Sequence, residues 1–111
     1  MKILLLTLLF PVMSHADHLL KVAVLDTGFM SKHKNWVRLC DSGHKDFTGE
    51  GLNDTHGHGT NIIGLIDKNA GKANFCIINI KVFSRKGTNS LENVIAGLEY
   101  AKTLNVDIVN L

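Results

Sequence analysis

The chain has 111 residues, 45% hydrophobic and 20% charged, which is the composition of one small globular domain and not of a disordered tail. Lys and Arg number 12 against 10 Asp and Glu, and the resulting formal charge of +2 gives no electrostatic reason to expect a nucleic-acid or membrane-surface partner. Ten glycines with a single proline exclude collagen-like and proline-rich linker sequences.

At the amino end, Lys2 precedes an apolar stretch from Ile3 to Phe10, broken only by Thr7 and followed by Pro11 and Ser14-His15-Ala16. A basic residue, a short apolar run and small residues before a junction predict a secretory signal over residues 1–16, cut after Ala16, with residues 17–111 forming the domain. The apolar run falls short of the ~20 residues needed to span a bilayer, so no membrane association is expected once the signal is removed. The expected location is therefore secreted or periplasmic. Export bears on Cys40 and Cys76, each in or beside an apolar run; an even count in an oxidising compartment permits a disulfide, while two buried thiols also fit.

Lys21–Leu25 is β-branched and apolar and runs into Asp26-Thr27-Gly28, a strand followed by a turn. Phe29 and Trp36 are expected to form a satellite apolar cluster beneath that turn, and Lys32, Lys34 and Arg38 a solvated basic group. Val37–Cys40 predicts a second strand. From His44 to Gly59 the chain is polar and rich in glycine, which predicts a loop anchored by Phe47. Ile62, Ile63, Leu65 and Ile66 give the apolar face of a helix that starts near His58 and stops at Asn69 to Gly71. Phe75–Phe83 predicts a buried strand. A second helix is capped by Asn89 or Ser90, carries Glu92 in its first turn, and repeats Leu91, Val94, Ile95, Leu98, Ala101 and Leu104 at three- and four-residue spacing. Asp107–Leu111 is a last strand. Strands alternating with helices predict an α/β fold with a parallel sheet and right-handed βαβ crossovers, in which chemistry gathers at the carboxyl ends of strands, where Asp26 stands.

A carboxylate just past a buried strand, solvated by turn amides, can stay ionised and hold an imidazole in one tautomer, and Val22-Ala23-Val24-Leu25-Asp26-Thr27-Gly28 fits that need. Downstream, Asp54-Thr55-His56-Gly57-His58-Gly59-Thr60-Asn61-Ile62-Ile63-Gly64 puts a histidine at the mouth of a helix, with Gly59 and Gly64 allowing close packing on a sheet. Together the two motifs resemble those of the subtilisin-like serine proteases, an apolar strand ending Asp-Thr/Ser-Gly and then Gly-His-Gly-Thr-His-Val-Ala-Gly. The matching histidine is His58, and Asn61 stands where the family usually has a second histidine. The likeness runs on through Ile80-Lys81-Val82, the helix with Val94 to Ala101, and Asp107-Ile108-Val109-Asn110-Leu111, covering nearly all of residues 17–111 as the amino-terminal portion of a peptidase domain, a truncated subtilisin-like fold. It implies a serine-type endopeptidase acting on protein or peptide substrates, with Asp26 and His58 as the catalytic Asp and His. The family's nucleophilic Ser and oxyanion Asn have no counterpart motif here; Ser31, Ser42, Ser84 and Ser90 lack the Gly-Thr-Ser context and are expected in loop or cap roles, so the chain alone is expected to be inactive. No cofactor and no metal are expected.

Plainer and rival readings accompany these. Asp54, four residues before His58, is expected to shape the loop and not to act chemically. His56 and His58 could share a metal, since residues two apart on an extended segment face the same way, although that motif normally ends an apolar strand. His18, His33 and His44 are expected to be solvated or satisfied by loop hydrogen bonds. Asp26-Thr27-Gly28 alone would also suit half of a homodimeric aspartic peptidase, an architecture that is nearly all strand. A non-catalytic, peptide- or partner-binding relative of the same family is the remaining alternative.

Overall fold

A computed structural model describes residues 18–86 and 90–111, so the expected signal and the Asn89 cap lie outside the described residues. Strand β1 (Leu20–Asp26) is followed by a single stretch of 3-10 helix (Ser31–Trp36), β2 (Lys45–Asp46), helix α1 (His58–Ala70), β3 (Phe75–Lys81), helix α2 (Leu91–Thr103) and β4 (Ile108–Asn110). The sheet is parallel throughout, in the order β2-β3-β1-β4. β1 and β3 are in register from Leu20 opposite Phe75 to Asp26 opposite Lys81, which brings the carboxyl ends of the two central strands to the same level.

Because successive strand residues point to opposite faces, the sheet sorts its own core. Val22, Val24, Phe75 and Ile77 meet Ile63 of α1 on one face, with Phe29. Ala23, Leu25, Ile78 and Ile80 meet Ala101 of α2 on the other, with Val82. Two helix-covered faces explain why the central strands read as continuous apolar runs. Each fully buried Leu or Ile contributes about 1.5–3 kcal/mol relative to exposure. At the start of α2, the Ser90 hydroxyl accepts the Asn93 amide as the cap. By the same alternation Asp26 follows Val22 and Val24 onto the α1 face.

Several expectations change. Val37–Cys40 is not a strand: it makes one parallel bridge, Leu39 to Ile77, and the strand beside β3 is β2, inside the stretch expected to be loop. Between them the His44 ring fills the gap, Nδ1 accepting the Asn79 amide at 2.9 Å and Nε2 donating to the Cys40 carbonyl at 2.8 Å. An imidazole thus completes a ladder that backbone would otherwise complete. Phe29 is buried as expected, but Trp36 is 74% exposed and leans on the His33 ring, centroids 4.6 Å apart and planes tilted by 39°. Arg38 is not a loose surface cation. It bonds the Asp67 carboxylate and the carbonyls of Asp67, Gly71 and Ala73, and its guanidinium lies 4.0 Å from the Phe75 ring centroid. Leu65 points outward, Leu91, Ile95 and Leu98 leave half of the expected apolar stripe of α2 in water while Val94, Ala101 and Leu104 pack on the sheet, and Gly64 faces open space instead of the sheet.

Candidate active site

At the end of β1 the chain turns through Thr27, and Asp26 is 4% exposed. Its Oδ1 accepts the Thr27 amide at 2.7 Å, while its own carbonyl accepts the amides of Val82 and Phe83 beyond β3. The backbone of Asp26 is thus fixed to the end of β3 while the Thr27 amide orients its carboxylate. His58, the first residue of α1, points its Nδ1 at Asp26, 2.8 Å from Oδ1 and 2.9 Å from Oδ2. Since a carboxylate only accepts, Nδ1 carries the proton and Nε2 keeps its lone pair. The side chain is 58% exposed, so that lone pair belongs to a ring open to solvent. The hydrogen bond and charge of Asp26 raise the His58 pKa above its ordinary 6.5; slight burial opposes this and the Asp54 charge assists it.

What lets the helix start here is close backbone contact. A Cβ at Gly59 would collide with the Gly28 carbonyl and come within 3.0 Å of the Gly28 nitrogen and 3.1 Å of the Thr27 nitrogen. Gly59 instead donates its amide to the Thr27 hydroxyl at 2.8 Å, tying α1 directly to the turn that carries Asp26.

Asp54 was expected only to shape the loop, and its part is larger. It is 1% exposed; Oδ1 accepts from the Thr27 hydroxyl and the His56 and Gly57 amides, and Oδ2 from the Thr60 amide and hydroxyl. Burial pushes its carboxyl up, but hydrogen bonds from Gly57, Thr60 and Thr27 together outweigh that and hold it below the usual carboxylate range. Gly57, the residue before α1, has φ 105° and no side chain to cap the helix, so Asp54 caps it from outside. Lys81 was missed altogether. It is 1% exposed, donates to the Asn53 carbonyl at 2.8 Å, and lies 3.4 Å from a Glu50 carboxylate oxygen, pinning the loop just ahead of Asp54. The signal for Asp54 was its spacing to Gly57 and Thr60 across a helix start; nothing in an Ile-rich strand marks Lys81 as buried at its end.

His56 lies beside the pair. Its Nδ1 accepts the His58 amide at 3.3 Å and the two rings are edge-on, 6.3 Å apart. Among the described residues no group of three or more His, Cys, Asp or Glu side chains is placed to hold a metal. Cys40 and Cys76 are bonded, Cα atoms 4.8 Å apart, joining the segment before β2 to the start of β3 away from Asp26 and His58. Ser90 caps α2 and Ser31 opens the 3-10 helix, neither as part of the pair.

No family model matches the chain. Individual relatives do. Over 83 residues it is 36% identical to the subtilase-type proteinase psp3 of Schizosaccharomyces pombe, an alignment that takes in 70% of this chain and 18% of that protein. It is 34% identical over 106 residues to the major intracellular serine protease of Bacillus subtilis, covering 83% of this chain and 33% of the relative. Subtilisin DY of Bacillus licheniformis matches at 28% over 99 residues, 82% of this chain and 35% of its own length. The chain thus spans between about a sixth and a third of the length of the curated relatives it matches.

Proposed function

We propose, from this chain's membership of the subtilisin-like protease family, that Asp26 and His58 are two members of an Asp-His-Ser triad that hydrolyses peptide bonds. The observation that carries the proposal is the pair of short contacts from His58 Nδ1 to the buried Asp26 carboxylate, with Nε2 left as the free base. In that arrangement Asp26 fixes the tautomer and stabilises the imidazolium, and His58 takes the proton of an attacking serine hydroxyl and returns it to the leaving amine. The serine and the oxyanion donors are supplied by a segment other than residues 1–111, because Ser31, Ser42, Ser84 and Ser90 lack the sharp turn-to-helix setting a nucleophile needs. The substrates are proteins or peptides. Export from the cytosol is favoured by the pattern of residues 1–16 and by the Cys40–Cys76 bond, which persists in oxidising compartments. Among the described residues no helix is long and apolar enough to cross a membrane. The aspartic-peptidase alternative loses its ground, since its nearly all-strand architecture differs from a parallel sheet flanked by two 13-residue helices.

Casein hydrolysis tests the proposal. The purified 111-residue chain is expected to be inactive, and a form joined to a segment bearing the Gly-Thr-Ser motif active, sensitive to phosphonyl reagents and abolished by His58→Ala. Hydrolysis by the 111-residue chain that His58→Ala removes, or an active longer form blocked by pepstatin and untouched by phosphonyl reagents, would overturn it.

A further inference from the structure

The carboxylate that caps α1 is also bonded to the residue next to Asp26, and a helix cap alone would not need that. A cap has to satisfy the free amides of the first turn, which Asp54 does at Gly57 and Thr60. Its bond to the Thr27 hydroxyl, 2.9 Å, reaches across 27 residues to the turn after β1. Both threonines work as relays. Thr27 donates to Asp54 and accepts from Gly59, and Thr60 donates to Asp54 and accepts from Met30 at 3.0 Å. Two links between the β1 turn and α1 therefore follow His58 directly in sequence, both ending on one buried carboxylate. Five donors converge on two oxygens, and only an acceptor-only, ionised group can receive them all.

We propose that Asp54 is a positioning residue that holds His58 opposite Asp26 by bonding the first turn of α1 and Thr27 at the same time. The inference rests on the catalytic reading only for its consequence to turnover. Without the Thr27 link, α1 keeps its cap but loses its register against β1, and a displacement of about 1 Å is enough to break the histidine–aspartate contact.

The test is proton NMR on the whole chain, following the Nδ1 proton of His58 and the titration of its ring, with protection of the α1 amides as the measure of folding. The charged and titratable groups facing His58 are Asp26, Asp54 and His56. Asp54→Ala removes the link together with the cap and a charge, and Thr27→Val leaves the cap and the charge but removes the link together with the acceptor of the Gly59 amide, so the proposal requires the same loss of the Nδ1 proton in both variants. Thr27→Val is expected to lose the slowly exchanging Nδ1 proton to solvent and to titrate closer to 6.5 than the parent chain, with α1 amides still protected. Thr27→Ser, which keeps the hydroxyl, is expected to restore both. A folded Thr27→Val chain with an unchanged Nδ1 proton and titration overturns the proposal. So does a Thr27→Val chain that unfolds while Thr27→Ser stays folded, because the link is then a stability contact and not a positioning one. These readouts do not involve peptidase activity, so failure here leaves the catalytic reading standing, and failure of that reading leaves this one intact.

Discussion

Reducing the Cys40–Cys76 bond should cost this chain a large part of its stability. The two cysteines are 36 residues apart, and closing a loop of that size removes chain entropy from the unfolded state worth about 4 kcal/mol at 25 °C. A domain of this size has about 5–15 kcal/mol in all. The bond also fastens the segment after Trp36 to the start of β3, where the backbone contributes only the Leu39 to Ile77 bridge and its flanking hydrogen bonds. Once the bond is cut, that segment is held by this bridge, by the Arg38 bonds to Asp67, Gly71 and Ala73, and by the His44 ring, so the loss should be large without being complete. The assay is urea denaturation of the oxidised chain against the same chain in reductant. With a urea dependence of about 2 kcal/mol per molar, the midpoint should fall by roughly 2 M. Superimposable curves, with free thiols confirmed in the reduced sample, would refute the reasoning.

Three further outcomes follow from the geometry. The hydrogen bond that His58 donates to Asp26 raises the His58 pKa, so the pair's contribution is complete below about pH 6.5 and lost as pH rises through the higher folded value; Asp26→Asn should abolish that part of the pH dependence in denaturation measured from pH 5 to 9, and its persistence would assign it elsewhere. Asp54 has the opposite sign: its lowered pKa gives stability that is present above the ordinary 3.8 and lost as pH falls through the folded value, which acid unfolding of parent and Asp54→Asn chains should separate. Gly59→Ala drives a Cβ into three backbone atoms and should destabilise by at least ~1–3 kcal/mol while returning the His58 titration toward 6.5; a neutral substitution would mean that α1 can lift off the β1 turn freely.

Where one strong pattern governed a segment, the sequence was enough to read it. The β-branched run before Asp26, the apolar block from Phe75 and the helix carrying Val94 and Ala101 are each determined by local periodicity, and each formed. The meeting of Asp26 with His58 followed from two motifs, an apolar strand ending Asp-Thr-Gly and a histidine at the mouth of a helix. The segment from Val37 to Asp46 was harder because two residues of β2 and one bridge carry no periodicity, and a histidine ring replaces part of the ladder. Long-range polar partners were out of reach for the same reason: Arg38 finds Asp67, Lys81 finds Asn53 and Asp54 finds Thr27 only after the chain has closed. Apolar spacing also overstated the core, since a stripe of Leu91, Ile95 and Leu98 records an apolar face and not what covers it.

The two edges of the sheet differ in what they can accept. At β2 the ladder is two residues long, interrupted by the His44 ring and crossed by a disulfide, so an approaching strand finds few amides and carbonyls in line. At β4 the flank away from β1 is a regular extended backbone bordered by exposed Ile108, Val109 and Leu111. The β2 edge is therefore a poor template for an added strand, whereas the β4 edge of the described residues is a regular one.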